Sequence, residues 1–175
     1  NGAVTYSWDL DNNGSFETAG NPVATTPDDG PATLTVNVQA CDALLYCQTS
    51  TATINVNNVA PTLTAINVLP PTPLFQGETA SVYFGAVTDP SNAHTSTGFT
   101  FDVDCDAQTA FSAQSPQFCT VPLVTSWTVT GFAQDKDGGI GSATLSNLAV
   151  LNTHDAISYV IGQVQTTPGL NNGQK

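Results

Sequence analysis

Asp9-Leu10-Asp11-Asn12-Asn13-Gly14 follows directly on the aromatic stretch Tyr6-Ser7-Trp8, and 93 residues later Asp102-Val103-Asp104-Cys105-Asp106 follows Phe99-Thr100-Phe101. Two carboxylate-rich turns therefore leave two aromatic strands at one spacing. The same offset carries Leu34, Val36, Ala40 and Asp42 onto Trp127, Val129, Ala133 and Asp135. Two elements that repeat at one offset mean one structural unit used twice.

Around these stretches the apolar pattern has period two. Leu34, Val36 and Val38 alternate with Thr33, Thr35 and Asn37; Ala80, Val82 and Phe84 alternate with Ser81 and Tyr83; Trp127, Val129 and Gly131 alternate with Thr128 and Thr130. Alternation of this kind marks strands with one buried face. Gly, Pro, Asp and Asn punctuate the runs every 8–12 residues or so, a spacing that suits an all-β sandwich.

The composition narrows the function. Hydrophobic residues make up 40% of the 175, enough for packed cores, while charged residues make up 9%. Thr, Ser, Asn and Gln must then cover most of the surface, as suits exposed sheet faces. Net charge is −12, with Lys136 and Lys175 as the only cationic side chains besides His. A phosphate backbone needs a basic face, so nucleic acid is excluded as a partner. An anionic membrane surface would repel the chain, and no apolar run is long enough to cross a bilayer. Four cysteines fall in two close pairs, Cys41 with Cys47 and Cys105 with Cys119. Without a CxxC pair or a histidine beside either pair, they read as two disulfide staples rather than zinc ligands. Disulfides place the protein outside the reducing cytosol, secreted or on a cell surface.

Asn57-Asn58-Val59-Ala60-Pro61 reads as a short, stiff linker. It divides the chain into a first module at 1–59, a second at 60–151 and a tail at 152–175. In the second module Asp102 lies 41 residues after Pro61, whereas Asp9 has eight residues before it, so the first module lacks two opening strands. The expectation is that the chain continues upstream, or that a strand from another chain fills the gap. Leu69-Pro70-Pro71-Thr72-Pro73 breaks the second module's first strand, as expected where an edge strand switches sheets. In the tail, Ile157, Val160, Ile161 and Val164 recur at helical spacing, with Asp155 as expected N-cap. The alternative is the opening strand of a third module, because Leu170-Asn171-Asn172-Gly173-Gln174 echoes Leu74-Phe75-Gln76-Gly77-Glu78.

Trp8-Asp9-Leu10-Asp11-Asn12-Asn13-Gly14-Ser15-Phe16-Glu17 resembles the signature turn of polycystic-kidney-disease (PKD) domains. The second module adds Asp89-Pro90-Ser91, Gly98-Phe99-Thr100-Phe101-Asp102, Trp127-Thr128-Val129-Thr130 and Asp135-Lys136-Asp137-Gly138-Gly139 in an order similar to bacterial PKD-like repeats. The resemblance spans residues 1–58 and 61–151. Departures are Phe101 in place of the usual Trp, the long turn after Asp106, and Asp42-Ala43-Leu44 in place of Asp-x-Asp-Gly. The resemblance implies tandem immunoglobulin-like β-sandwiches of the kind found in extracellular stalks, surface proteins and accessory regions of secreted enzymes, which do no chemistry themselves.

Two turns invite a cation. Asp9, Asp11 and Asn13 alternate around a bend permitted by Gly14, with Glu17 following; Asp102, Asp104 and Asp106 repeat the spacing. Calcium takes several oxygen ligands at alternate loop positions. The competing reading is that these aspartates cap turns through their own backbone. Asp135-Lys136-Asp137-Gly138-Gly139 reads as the hairpin turn between the last two strands. A glycosidase needs two carboxylates across a cleft, and the acids here cluster on turns. His94 follows Asp89-Pro90-Ser91 in a loop, without a nucleophile elbow. Trp8 and Trp127 lie where a sandwich buries an aromatic, and Asn13-Gly14-Ser15 matches the N-glycosylation pattern.

The expected protein is thus all-β and not an enzyme. It is a structural module of a surface stalk, adhesin or fibre, stiffened by calcium at those turns and joined to neighbouring modules or copies of itself. The alternative is an accessory module that holds a surface polysaccharide or protein for a secreted hydrolase.

Overall fold

A computed structural model describes residues 2–20, 22–24, 29–106, 111 and 117–168. The echo at 170–174 lies outside them. The chain forms two compact units, Asn1–Val59 with Asp89–Gly98, and Ala60–Thr88 with Phe99–Lys175. Asp89–Gly98 groups with the first unit although its sequence neighbours belong to the second.

Unit 1 is built on β1 (Thr5–Asp9), β2 (Thr18–Ala19), β3 (Ala32–Cys41) and β4 (Cys47–Val56), in the sheet order β2-β1-β3-β4. Its pairings are antiparallel: Trp8 faces Val38, Asp9 faces Asn37, and Val36 faces Ala52. Residues opposite one another share a face, and faces alternate along each strand. One face therefore collects Tyr6, Trp8, Leu34, Val36, Val38 and Ile54, and the other Ser7, Thr33, Thr35, Thr49, Thr51 and Thr53. Val36 is the one hydrophobic side chain of this unit that is buried among the described residues. Trp8 is half-buried and donates its indole N–H to the Gly20 carbonyl at 2.8 Å. The unit closes with α1 (Asn92–Thr97). His94, expected in a loop, sits on this helix because the Ser91 hydroxyl caps it, accepting from the His94 N–H at 3.3 Å.

Unit 2 is a two-layer sandwich, the all-β class read from the alternation. Its strands are β5 (Thr62–Leu63), β6 (Ile66–Leu69), β7 (Leu74–Phe75), β8 (Thr79–Phe84), β9 (Val87–Thr88), β10 (Thr100–Asp104), β11 (Phe118–Thr120), β12 (Ser126–Gln134) and β13 (Ile140–Leu151). One sheet runs β10-β12-β13-β7, another β11-β8-β6, and β5 pairs with β9. Val68, Ala80, Val82 and Cys119 from one layer pack against Val103, Trp127, Val129, Leu148 and Val150 from the other. The proline-rich break does switch sheets: β6 pairs antiparallel with β8, whereas β7 pairs parallel with β13. Phe84 and Phe101 meet across the layers at 4.6 Å between ring centroids, and a Cβ on Gly131 would come within 2.6 Å of Ile66 and 2.9 Å of Phe84. Cys105 and Cys119 form a disulfide that ties the end of β10 to β11, and Cys41 and Cys47 form one across the neck of the β3–β4 hairpin.

The tail is helical, α2 (Thr153–Thr166). Its N-cap is Asn152 rather than Asp155. Asn152 Oδ1 accepts from the Asp155 N–H at 2.9 Å while its amide donates back to the Asp155 carboxylate at 2.8 Å. Asp155 is thus the third helical residue of a reciprocal cap.

Candidate functional site

The two units share their central trio of antiparallel strands, β1-β3-β4 and β10-β12-β13. The likeness is closest at the hairpins β3–β4 and β12–β13. Each is joined by five residues that begin with aspartate, Asp42 to Tyr46 and Asp135 to Gly139. Asp42 Oδ1 accepts from the N–H groups of Leu44 (2.8 Å) and Tyr46 (3.0 Å). Asp135 Oδ1 accepts from Asp137 (2.9 Å) and Gly139 (2.8 Å). The backbone bonds also correspond: Asp42 N–H to Tyr46 carbonyl at 3.1 Å and Asp135 N–H to Gly139 carbonyl at 3.0 Å. The fourth turn residue is left-handed in both, Leu45 at φ 66° and Gly138 at φ 89°. One turn has been built twice, with glycine where the backbone favours it in unit 2 and leucine in its place in unit 1.

The hairpins thus align at the offset of 93, but the first strands do not. Asp9 pairs with Asn37, and 93 residues after Asn37 stands Thr130, which pairs with Asp104. Asp9 corresponds in register to Asp104, not Asp102, and Trp8 to Val103. A slip of two residues leaves every side chain on its own face, so alternation alone does not betray it.

Asp9 ends β1 fully buried. Its carboxylate accepts from the Asn13 N–H at 3.1 Å, the Gly14 N–H at 3.1 Å and the Asn37 amide at 3.1 Å. Asn37 Oδ1 accepts in turn from the Thr51 hydroxyl at 2.7 Å, so a polar chain crosses β1, β3 and β4. Burial by itself pushes the Asp9 carboxyl up; the Asn37 amide and the Gly14 and Asn13 N–H groups outweigh it and hold the group below the ordinary aspartate value.

Asp9, Asp11 and Glu17 bring carboxylate oxygens within 4.8 Å of one another. That is the start of a hard-cation shell. The Asn13 amide stands in it, donating to Asp11 at 2.9 Å and Glu17 at 3.0 Å while its oxygen accepts from the Ser15 N–H at 2.8 Å. The turn is satisfied by amides, so calcium has to displace Asn13 to enter. Asp102, Asp104 and Asp106 are not among the described groups that gather in this way. Asp102 and Asp104 are buried on one face of β10, Asp102 accepting from the Val103 N–H at 2.7 Å and Asp104 from the Asp106 N–H at 3.0 Å. Trp127 is buried and donates to the Cys105 carbonyl at 2.8 Å.

Nothing in the sequence announces Asp29. In unit 1 it lies 3.0 Å from His94 Nε2, while Asp89 lies 3.1 Å from His94 Nδ1. The Ser91 hydroxyl donates to Asp29 at 3.2 Å rather than to the imidazole. Both ring nitrogens face carboxylates, so the ring ties Asp29 to Asp89 and is not the base of a nucleophilic serine. A pocket of about 180 Å³ opens here among Asp29, Gly30, Asn57, Asp89, Ser91 and His94. The Asp89 side chain is wholly buried, and its Oδ2 has no hydrogen-bond partner among the described residues. A water or cation would find a ligand at that oxygen.

No protein-family profile matches the sequence, and no curated protein does. Among solved structures, the chain is similar to SGBP-B of the Bacteroides ovatus mixed-linkage glucan utilization locus, solved with a mixed-linkage heptasaccharide. Identity is 16% and the TM-score 0.26, over 85% of this chain and 37% of that one. So slight a likeness carries over neither fold nor activity, and the chain spans about a third of the other's length.

Proposed function

We propose that this chain is a non-catalytic spacer made of PKD-like repeats in a secreted or surface-exposed protein, a stalk or fibre segment that displays something else. The observation that carries the reading is the duplicated Asp42 and Asp135 hairpin turn. It marks one scaffold element used twice, and repeated elements set length and stiffness through neighbours. A disulfide in each unit supports an oxidising location. Calcium at the Asp9 turn belongs to the same proposal: Asp9, Asp11 and Glu17 supply the oxygens once Asn13 moves aside, and the ion would stiffen unit 1.

Pulling the whole chain from its two ends tests the spacer. Each unit should resist separately, giving two steps. Cys41 and Cys47 are six positions apart in the chain, and Cys105 and Cys119 fourteen. At about 3.6 Å per extended residue, reduction should lengthen one step by about 17 Å and the other by about 45 Å. Extension without resisting steps defeats the spacer reading. Retention of the chain on insoluble chitin, cellulose or collagen would favour the accessory-module alternative instead.

A further inference from the structure

The duplicated turn has different tips. At the same three positions unit 2 carries Asp137, Gly138 and Gly139, whereas unit 1 carries Leu44, Leu45 and Tyr46, which are 77%, 82% and 75% exposed. Three large apolar side chains in a row at a hairpin tip are not explained by folding, because they touch no core. Leu45 moreover keeps a side chain at a left-handed position that the sister turn gives to glycine. Strain held at an exposed position points to function. The tip is also rigid: the Cys41–Cys47 disulfide closes its neck, and Asp42 Oδ1 holds two of its N–H groups. A rigid knob loses little freedom on docking.

Unit 2 carries an apolar hollow. Phe75, Ala156, Ile157, Val160 and Ile161 line an open apolar concavity of about 340 Å³ under α2. Ile157, Val160 and Ile161 remain 57%, 51% and 51% exposed, and α2 buries none of its residues. These knob and hollow side chains are uncharged, in a chain of net charge −12. Two copies repel one another through that charge, and least where both contacting surfaces are neutral.

We propose that the Leu44-Leu45-Tyr46 tip of one copy seats in the α2 hollow of the next, joining copies head to tail. The contact is heterologous, so it propagates rather than closing on a pair. It draws its purpose from the spacer reading but rests on other residues, so a strictly monomeric chain would leave the pulling signature intact.

Sedimentation of the full chain over a concentration series tests it. Association should strengthen as sodium chloride rises, since screening relieves the repulsion and apolar contact persists. Leu44→Asp and Val160→Asp alter exposed side chains and should each weaken association at least tenfold. Mixed together they should give dimers and nothing larger, because one retains the hollow and the other the knob. p-Benzoylphenylalanine at position 44 should cross-link to residues 153–161 of another copy. A chain that stays monomeric at every concentration and salt, variants that associate like the parent, or a mixture that fails to pair would each overturn the proposal.

Discussion

Replacing Leu45 by glycine should stabilise unit 1 and weaken the proposed junction at once. A β-carbon in the left-handed region costs roughly 1–2 kcal/mol, and Leu45 sits there at φ 66°. Glycine's extra freedom in the unfolded chain takes back about 0.4–1 kcal/mol. Packing hardly enters, because Leu45 is 82% exposed. The balance favours Leu45→Gly by about 0.5–1 kcal/mol, a folded-to-unfolded ratio raised roughly two- to five-fold. Global melting would mix the two units, so amide hydrogen exchange is the suitable assay. Protection of Val36 and Val38 on β3 should rise by that factor, while β12 and β13 stay unchanged. Gly138→Ala should act with the opposite sign on β12 and β13, lowering protection by a similar factor, about two- to five-fold. If Leu45→Gly left β3 unchanged or less protected, the two turns would be alike in shape but not in energy, and strain could not be invoked to explain Leu45.

Gly141→Ala should prevent unit 2 from folding: the added Cβ would lie 1.9 Å from the Pro61 carbonyl oxygen, a backbone clash worth at least about 3 kcal/mol. Loss of the cooperative transition in circular dichroism checks it, and a normally folded variant would refute the close approach of β5 to β13. Asp9 should give unit 1 an acid-sensitive stability. Its folded pKa lies below its unfolded one, so its contribution is complete above the unfolded value of about 3.9 and fades as pH falls through the folded value. Asp9→Asn should therefore flatten the decline in β3 and β4 protection at acid pH; identical profiles would show that the surrounding amides do not favour the ionised form. Asn13→Asp replaces the amide between Asp11 and Glu17 and adds a fourth carboxylate to Asp9, Asp11 and Glu17, so millimolar calcium should raise its melting temperature more than it raises the parent's. Equal responses would remove Asn13 as the group that fills the centre.

Period-two alternation carried most of the architecture, because strands with one buried face write their facing directly into the chain. Leu34, Val36 and Val38 and their counterparts on β12 could be placed on the core side before any coordinates. The same periodicity hid the register. Moving β10 by two residues keeps Phe101, Val103 and Asp104 on their proper faces, so Trp8 and Phe101 look equivalent in sequence although Trp8 corresponds to Val103. Only the hydrogen-bond ladder distinguishes the two. The Asp9 turn was legible as a cluster of acids because its ligands are local. What fills its centre was not, since Asn13 can present either its oxygen or its amide and only the Ser15 bond fixes which. The tie between Asp29 and His94 was out of reach altogether: it joins positions 65 apart in the chain, and neither residue sits in a pattern that demands the other.

The two units solve the same stability problem by different means. Unit 2 buries a two-layer core from Leu63 to Val150, and its staple only reinforces a sandwich that hydrophobic burial already favours. Unit 1 has a single described sheet and Val36 as its buried hydrophobe, so little of its stability can come from that source. What remains is polar and covalent: the polar chain from Asp9 through Asn37 to Thr51, the paired N–H bonds of Asp42, the His94 tie between Asp29 and Asp89, and a disulfide that closes a loop of about six residues. In the loop-entropy picture that short loop is worth about 2 kcal/mol, against about 3 for the fourteen-residue one. The smaller increment matters more, because it is a larger share of a thinner total. A tip carried on such a unit must be held by its own covalent and polar framework rather than by a core beneath it. That is why the disulfide and the Asp42 turn lie directly at the base of Leu44, Leu45 and Tyr46, and why reduction should loosen the knob before it loosens the sandwich.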